Sequence, residues 1–210
     1  MTEFTHMEHI ETALVSILFI LYSGLWNFKR VIQRKQTGID PEVIGQSKSH
    51  LQIFMGVMFG IIRIFVIVLI VLHSLKLRDF SILLPYEGLS SLQWDFLGFS
   101  VGLIGLSFCL YAQLKMKNSW RVGIDEGSRE DLVTDGLYRW IRNPTYLGLF
   151  ILNFGVWLIW PTYLVSYLNI IFFFLLEVQV RCEEDFLEGK YGTEYLNYRK
   201  NTYRYIPFIY

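Results

Sequence analysis

The fold class this sequence predicts is an all-α polytopic membrane protein, and three observations carry that prediction. Hydrophobic residues make up 53% of the 210 and charged residues only 18%, with a mean hydropathy of +0.36. A soluble domain carries about 25% charge, so an ordinary soluble enzyme and a disordered chain are both disfavoured. Five apolar stretches follow one another, at about residues 10–28, 51–73, 92–112, 146–160 and 162–180. Lysine and arginine concentrate in alternate connections between them.

The first stretch has Glu11 near its start and is closed by Lys29 and Arg30. Its leading segment is acidic (Glu3, Glu8) and no small-x-small cleavage site follows, so a retained helix is expected rather than a signal peptide. The second ends at His73 and contains Arg63; the third carries Asp95 near its start and the small residues Gly98, Gly102 and Gly105. These three are long enough for a hydrocarbon core of ~30 Å, which needs ~20 residues at about 1.5 Å each. The fourth is short, and Pro161 separates it from the fifth, so the two read as a tight helical hairpin. About five transmembrane helices are therefore expected.

The segment 29–50 holds five basic residues, 113–143 six and 181–210 five, whereas 74–91 holds only Lys76 and Arg78. By the positive-inside rule the three basic segments are cytosolic, which puts the N-terminus outside and the C-terminus in the cytosol. The expected organisation is one structural unit. Residues 1–112 supply three N-terminal transmembrane helices, and 113–210 supply a functional region of cytosolic loop, helical hairpin and C-terminal tail.

Nineteen basic and nineteen acidic residues cancel, so no nucleic-acid partner is expected. Cys109 and Cys182 are far apart and in no CxxC motif, which excludes a disulfide scaffold or a four-cysteine zinc site. All four histidines, His6, His9, His50 and His73, lie in the first third, so chemistry in the last two thirds runs without imidazole. His50 and His73 flank the second stretch and read as interfacial residues; no metal site is expected. Arg63 and Asp95 would each cost ~2.5–3.5 kcal/mol at a helix centre, so both should face protein or an interface. The plainer reading pairs Arg63 with Asp95 or a helix carbonyl; the other makes it part of a pocket for a lipid headgroup.

In the loop, Gly136, Tyr138, Arg142, Pro144, Tyr146 and Gly148 form the pattern G-x-Y-x-x-x-R-x-P-x-Y-x-G. Local physics accounts for much of it, with Asn143 as helix N-cap, Pro144 at the first helical position, and Arg139 and Trp140 as interfacial anchors. It does not account for the acid-rich stretch 125–135 upstream. The tail begins with Arg181, Cys182, Glu183, Glu184 and Asp185, which reads as the charged start of a new helix. Leu187, Tyr191, Tyr195 and Tyr198 then form an apolar-aromatic stripe that would rest on the membrane surface or close over the loop.

The loop pattern, the Glu183-Glu184 pair about 40 residues later, the Y-G-x-E-Y-x-x-Y run at 191–198 and the terminal Pro207 together resemble the isoprenylcysteine carboxyl methyltransferase family. The phospholipid N-methyltransferases are its relatives, and the resemblance covers roughly residues 113–210. It implies methyl transfer from S-adenosylmethionine at the cytosolic membrane face, with the loop and C-terminal helix forming the cofactor site. Carried over by position, Asp131, Leu132, Val133, Tyr138, Arg142, Asn143, Pro144, Thr145, Tyr146 and Glu183 would contact the cofactor. Asn143 stands where the family usually has His, and Gln179 where an Arg would orient a substrate carboxylate. Arg181, half a turn on, is the expected substitute for that Arg. The implied acceptor is the carboxylate of a prenylated cysteine or similar lipid-linked group.

Three alternatives stay open on the sequence. A lipid amine acceptor shares the topology but must lose a proton before methylation, with Glu183, Glu184, a tyrosine or water to take it. A sterol-type membrane reductase has similar terminal patterns, but no extra basic cluster for a nicotinamide 2′-phosphate is visible. The non-enzyme alternative is a membrane scaffold or an inactive relative.

Overall fold

The computed structural model describes residues 2–47, 49–75, 81–86, 88–125, 127 and 131–208. Lys48, Lys76, Arg78 and Arg129 of the charge count lie outside the described residues, as does part of the acid-rich stretch. Among the described residues there are six α-helices: α1 (Thr2–Thr37), α2 (His50–Ser74), α3 (Leu92–Met116), α4 (Pro144–Ile159), α5 (Tyr163–Tyr191) and α6 (Thr193–Lys200). Short 3-10 turns punctuate the connections, and no strand forms among the described residues beyond three isolated bridges.

Four helices are long and apolar enough to cross a membrane, α1, α2, α3 and α5. The expected fourth span, α4, has 16 residues, about 24 Å at 1.5 Å per residue, and does not reach that length. Outward side chains such as Ile20, Ile64 and Phe174 are each more than 60% exposed, as expected of surfaces solvated by lipid. Inside, Val15, Leu18, Leu69, Leu106, Leu152, Ile159, Trp160 and Val165 form the largest buried cluster.

The tightest seam is between α3 and α4, and glycine makes it possible. A Cβ on Gly98 would stand 2.6 Å from the Gly155 carbonyl oxygen, and one on Gly105 would stand 2.5 Å from that of Gly148. The reciprocal positions are as close: a Cβ on Gly155 would meet the Gly98 carbonyl at 2.5 Å. The two backbones touch, which maximises dispersion contact where lipid leaves no hydrophobic drive between helices. This seam holds the start of α4 against the middle of α3, and Asn143 to Tyr146 with it.

The expected hairpin forms between α4 and α5. Thr162 caps α5, its hydroxyl oxygen accepting from Val165 N–H at 3.2 Å, after a turn at Trp160 and Pro161. The expected helix start at 181–185 is not there. α5 continues through the acids and through Gly189 to Tyr191, and the chain turns only at Gly192, where φ is +54°. Glu183 and Glu184 are therefore inside a long helix, and a helix-start role for them falls away. His73, expected at the interface, is instead 3% exposed and stacks on Trp160 with ring centroids 3.9 Å apart.

Candidate active site

At the end of the bundle where α2 begins, two connections are laced together. Val43 and Ile44 N–H groups donate to the Val122 carbonyl at 3.0 and 2.9 Å, and Val122 N–H donates to Pro41 O at 2.9 Å. Gly123, at φ +92°, must be glycine, since a Cβ there would lie 2.6 Å from the Ile44 backbone. Gln33 on α1 donates through Nε2 to the carbonyls of Asn118 and Trp120, both at 2.8 Å. Arg30 pairs with Asp40 and Glu42, and its hydrogen bond holds the Asp40 carboxyl below the usual carboxylate range. The loop that follows α3 is thereby fixed over the ends of α1 and α2.

The tail is tied to the segment before α4. Arg142 N–H donates to Tyr203 O at 2.8 Å and Tyr203 N–H to Trp140 O at 2.9 Å, with Ile141 and Tyr203 bridged in parallel. Tyr198 donates its hydroxyl to Tyr138 O at 2.7 Å. Beneath this junction sits Glu184, 3% exposed. It accepts from Arg142 Nε at 3.0 Å, Asn143 Nδ2 at 3.0 Å and Arg204 Nη2 at 2.7 Å. Arg142 also donates to the carbonyl oxygens of Arg199 (3.2 Å) and Thr202. A buried carboxylate between two guanidiniums is costly to assemble and far costlier to break, so it fixes the tail in one register.

These ties enclose a cavity of about 490 Å³, within the range usual for small-molecule sites. All ten positions expected at the cofactor line it: Asp131, Leu132, Val133, Tyr138, Arg142, Asn143, Pro144, Thr145, Tyr146 and Glu183. Gln179 lines it too, whereas Arg181 does not; its side chain is 59% exposed and pairs with Glu177 at 3.6 Å. The stripe of Leu187, Tyr191, Tyr195 and Tyr198 is split between α5 and α6 by the Gly192 turn, yet all four line the cavity. It closes over the loop rather than resting on a membrane surface. Burial pushes the hydroxyls of Tyr138, Tyr195 and Tyr198 above the ordinary tyrosine value, so they present neutral rings.

Glu183, one residue before Glu184, points a different way. Tyr146 donates to its Oε1 at 2.6 Å and Gln179 Nε2 to the same oxygen at 2.9 Å. Both partners are neutral, and among the described residues no hydrogen bond reaches Oε2. The geometry thus leaves an uncompensated carboxylate lining the cavity. Gln179, at 2% exposure, is also locked reciprocally to Gln52 on α2, with amide bonds of 3.1 and 3.2 Å. Asn143 sits at the N-cap position of α4, but its side chain serves Glu184 and makes no cap.

Several lining or supporting residues were not legible in the motifs. Glu184 and Arg204 form the tail clamp, Gln52 holds Gln179, and Tyr22, Trp26 and Arg63 bring α1 and α2 into the cavity wall. Of the two readings of Arg63, pairing with Asp95 or a helix carbonyl finds no such bond among the described residues; Asp95 is 1% exposed on α3, and Arg63 lines the cavity, where the pocket reading put it. The spacing Gly56, Phe59, Arg63 and Val66 was the available signal, since steps of three and four place all of them on one face.

Comparison with known proteins finds similarity over part of the chain. Residues 95–194 match the phospholipid methyltransferase family model. The chain is 28% identical over 135 residues to the protein-S-isoprenylcysteine O-methyltransferase of Tribolium castaneum, covering 59% of this chain and 46% of the relative. It is 36% identical over 87 residues to the enzyme of that name from Homo sapiens (40% and 30%). Against that of Saccharomyces cerevisiae it is 35% identical over 80 residues (37% and 33%). Each match spans less than half the relative's length.

Proposed function

We propose that this chain is a member of the isoprenylcysteine carboxyl methyltransferase family and that it transfers a methyl group from S-adenosylmethionine to the carboxylate of a prenylated cysteine or similar lipid-linked acceptor, at the cytosolic face of a membrane. The observation that carries this reading is Glu183, a carboxylate held by two neutral donors with one oxygen left for a ligand.

The residues present fit the cofactor. A ribose diol needs a carboxylate acceptor, which Glu183 Oε2 offers. A sulfonium is attracted to aromatic faces, and Tyr138, Tyr191, Tyr195 and Trp120 line the cavity; each well-placed face contributes about 0.5–2 kcal/mol. Bound there, S-adenosylmethionine would supply an electrophilic methyl group. The chain's own part is to align acceptor and donor and to keep water out. The loop over the ends of α1 and α2, and α6 with its tail clamp, do the second. A carboxylate acceptor is already ionised at neutral pH, so the absence of histidine from this region is no handicap.

The phospholipid methyltransferase match supports a second reading, a lipid amine acceptor. Glu184 is engaged by two guanidiniums, which leaves Glu183 as the nearby carboxylate for the ammonium proton. Incubation of membranes carrying the protein with methyl-labelled cofactor separates the two. Label released by mild base as ester supports the carboxylate; label that survives in lipid amines replaces it with the second reading. No label in either fraction and no cofactor binding would leave a scaffold.

Within this reading Glu183→Gln keeps the side chain's shape and removes its charge. Charge-assisted bonds contribute ~1.5–3 kcal/mol, so cofactor affinity should fall by at least about tenfold, with little change in thermal stability. Glu188→Gln is the control, because Glu188 pairs with Arg199 at 2.9 Å away from the cavity wall. Titration of both purified variants with S-adenosylmethionine checks this. Parent-like affinity in Glu183→Gln would sink the assignment.

A further inference from the structure

The basic side chains in the cavity wall divide by what they already hold. Arg30 is taken by Asp40 and Glu42, Arg121 by Asp125, and Arg142 by Glu184. Lys190 is in the last turn of α5, with its ammonium 5.0 Å from the Tyr191 ring centre. Arg63 differs from all of these. It lies halfway along α2, and among the described residues it makes no hydrogen bond or ion pair.

Its position on the helix says which way it serves. Gln52, Gly56, Phe59, Arg63 and Val66 succeed one another at steps of four, three, four and three, one face of α2. Gln52 on that face holds Gln179, which holds Glu183. Arg63 is 11 residues deeper, about 16 Å along the axis. A helical side chain leans toward the helix N-terminus, so the guanidinium leans back toward the Gln52–Gln179–Glu183 chain. Arg63 is exposed rather than packed, and the same cavity is lined by the apolar Leu18, Phe59, Val66, Val156 and Phe172 as well as by Tyr22. A guanidinium left open to such a cavity is matched by an anion that presents two oxygens.

We propose that Arg63 determines acceptor specificity: it receives an anionic oxygen group, carboxylate or phosphate, of an amphiphile whose hydrocarbon chain occupies the apolar arm of the cavity. The inference rests on the methyl-transfer reading above. It also accounts for Gln179. An amide locked to Gln52 cannot neutralise an anion, and Arg181 points away, so the neutralising charge comes from α2 instead of α5.

The test uses Arg63→Gln and Arg63→Lys in the purified full-length chain. Acceptor probes are an N-acylated S-prenylcysteine, its carboxamide, and phosphatidylethanolamine in vesicles. The parent should bind the acid at least tenfold more tightly than the amide. Arg63→Gln should lose that preference and raise KM for the acid by tenfold or more, a larger change than in kcat. Arg63→Lys should recover part of it, and S-adenosylmethionine affinity should stay within about twofold in both variants, which also certifies their fold. A KM shift confined to phosphatidylethanolamine identifies lipid phosphate as the group held. Arg63→Gln that still prefers the acid, with KM unchanged for every acceptor, overturns the proposal. A parent that binds no S-adenosylmethionine overturns the methyl-transfer reading instead, while acid-over-amide binding, followed by tryptophan fluorescence without cofactor, still tests Arg63.

Discussion

Glu183 and Glu184 are neighbours about 100° apart on one helix, and they do opposite things. Glu184 meets two guanidiniums and an amide, and two of its partners, Arg142 and Arg204, belong to segments that must be held together. Glu183 meets a phenol and an amide, which position it without cancelling its charge. Truncating Arg204 to alanine therefore leaves a buried carboxylate short of one counter-ion. Breaking such a pair costs about 3–5 kcal/mol, so Arg204→Ala should lower the thermal midpoint in detergent by several degrees. An unchanged midpoint would mean that the clamp is not a stabilising element. Glu183 lines the cavity where the motif positions place it, and its role toward the cofactor is the proposal made above. The role of Glu184 was not legible, since its partner Arg204 lies 20 residues away in a tail with no periodic pattern. Arg142 was expected at the cofactor, yet its guanidinium is directed to Glu184 and to the Thr202 and Arg199 carbonyls. It lines the cavity as a residue that positions the tail.

At the scale of elements, apolar runs and their order were readable, and helix ends were not. The charges from Arg181 to Asp185 mark where α5 leaves an apolar environment, which sequence reading took for the end of a helix. The hydrogen-bond ladder has no reason to stop there, and it runs on to Gly192. The glycines of α3 were visible as small residues, but their partners Gly148 and Gly155 become meaningful only once α3 and α4 are antiparallel and in register. That seam makes a sharp prediction. Gly148→Val would drive two extra methyls and a Cβ into the Gly105 carbonyl, which stands 2.6 Å from the Cβ position, and into Cys109. Backbone on the far side cannot yield as a side chain would. Overpacking of this kind costs about 1–3 kcal/mol and displaces α4, so both stability and cofactor affinity should fall. Gly24→Val, with nothing within 4 Å of its Cβ position, should leave both nearly unchanged. Circular dichroism melts and cofactor titration of the two variants, side by side, decide it.

For the whole molecule, the open quantity is how the bundle sits in a bilayer. Four helices are long enough to cross, and α4 is about 24 Å long, short of the ~30 Å core by some four residues. Its connections are those of a helix that runs the length of the bundle. Its first residue, Pro144, is beside the tail clamp, and its end at Ile159 turns through Pro161 to a carbonyl that accepts from Tyr86 N–H at 2.8 Å. The segment containing Tyr86 connects α2 to α3, so the two ends of α4 lie at opposite ends of the bundle. Under the proposed function, α4 crosses as a fifth span, which would put the connections after α1 and α3 and the tail on one side, the side that the positive-inside rule assigns to the cytosol. Single cysteines at Asn118, Arg139 and Lys200, in a background lacking Cys109 and Cys182, should react with a membrane-impermeant maleimide only after the cytosolic face is exposed. A cysteine at Leu84, 51% exposed in the α2–α3 connection, should react from outside. If Arg139 and Lys200 label from opposite faces, α4 and α5 do not form a crossing hairpin. The loop and tail would then be on different sides of the membrane, and the cavity they jointly enclose could not exist as one site.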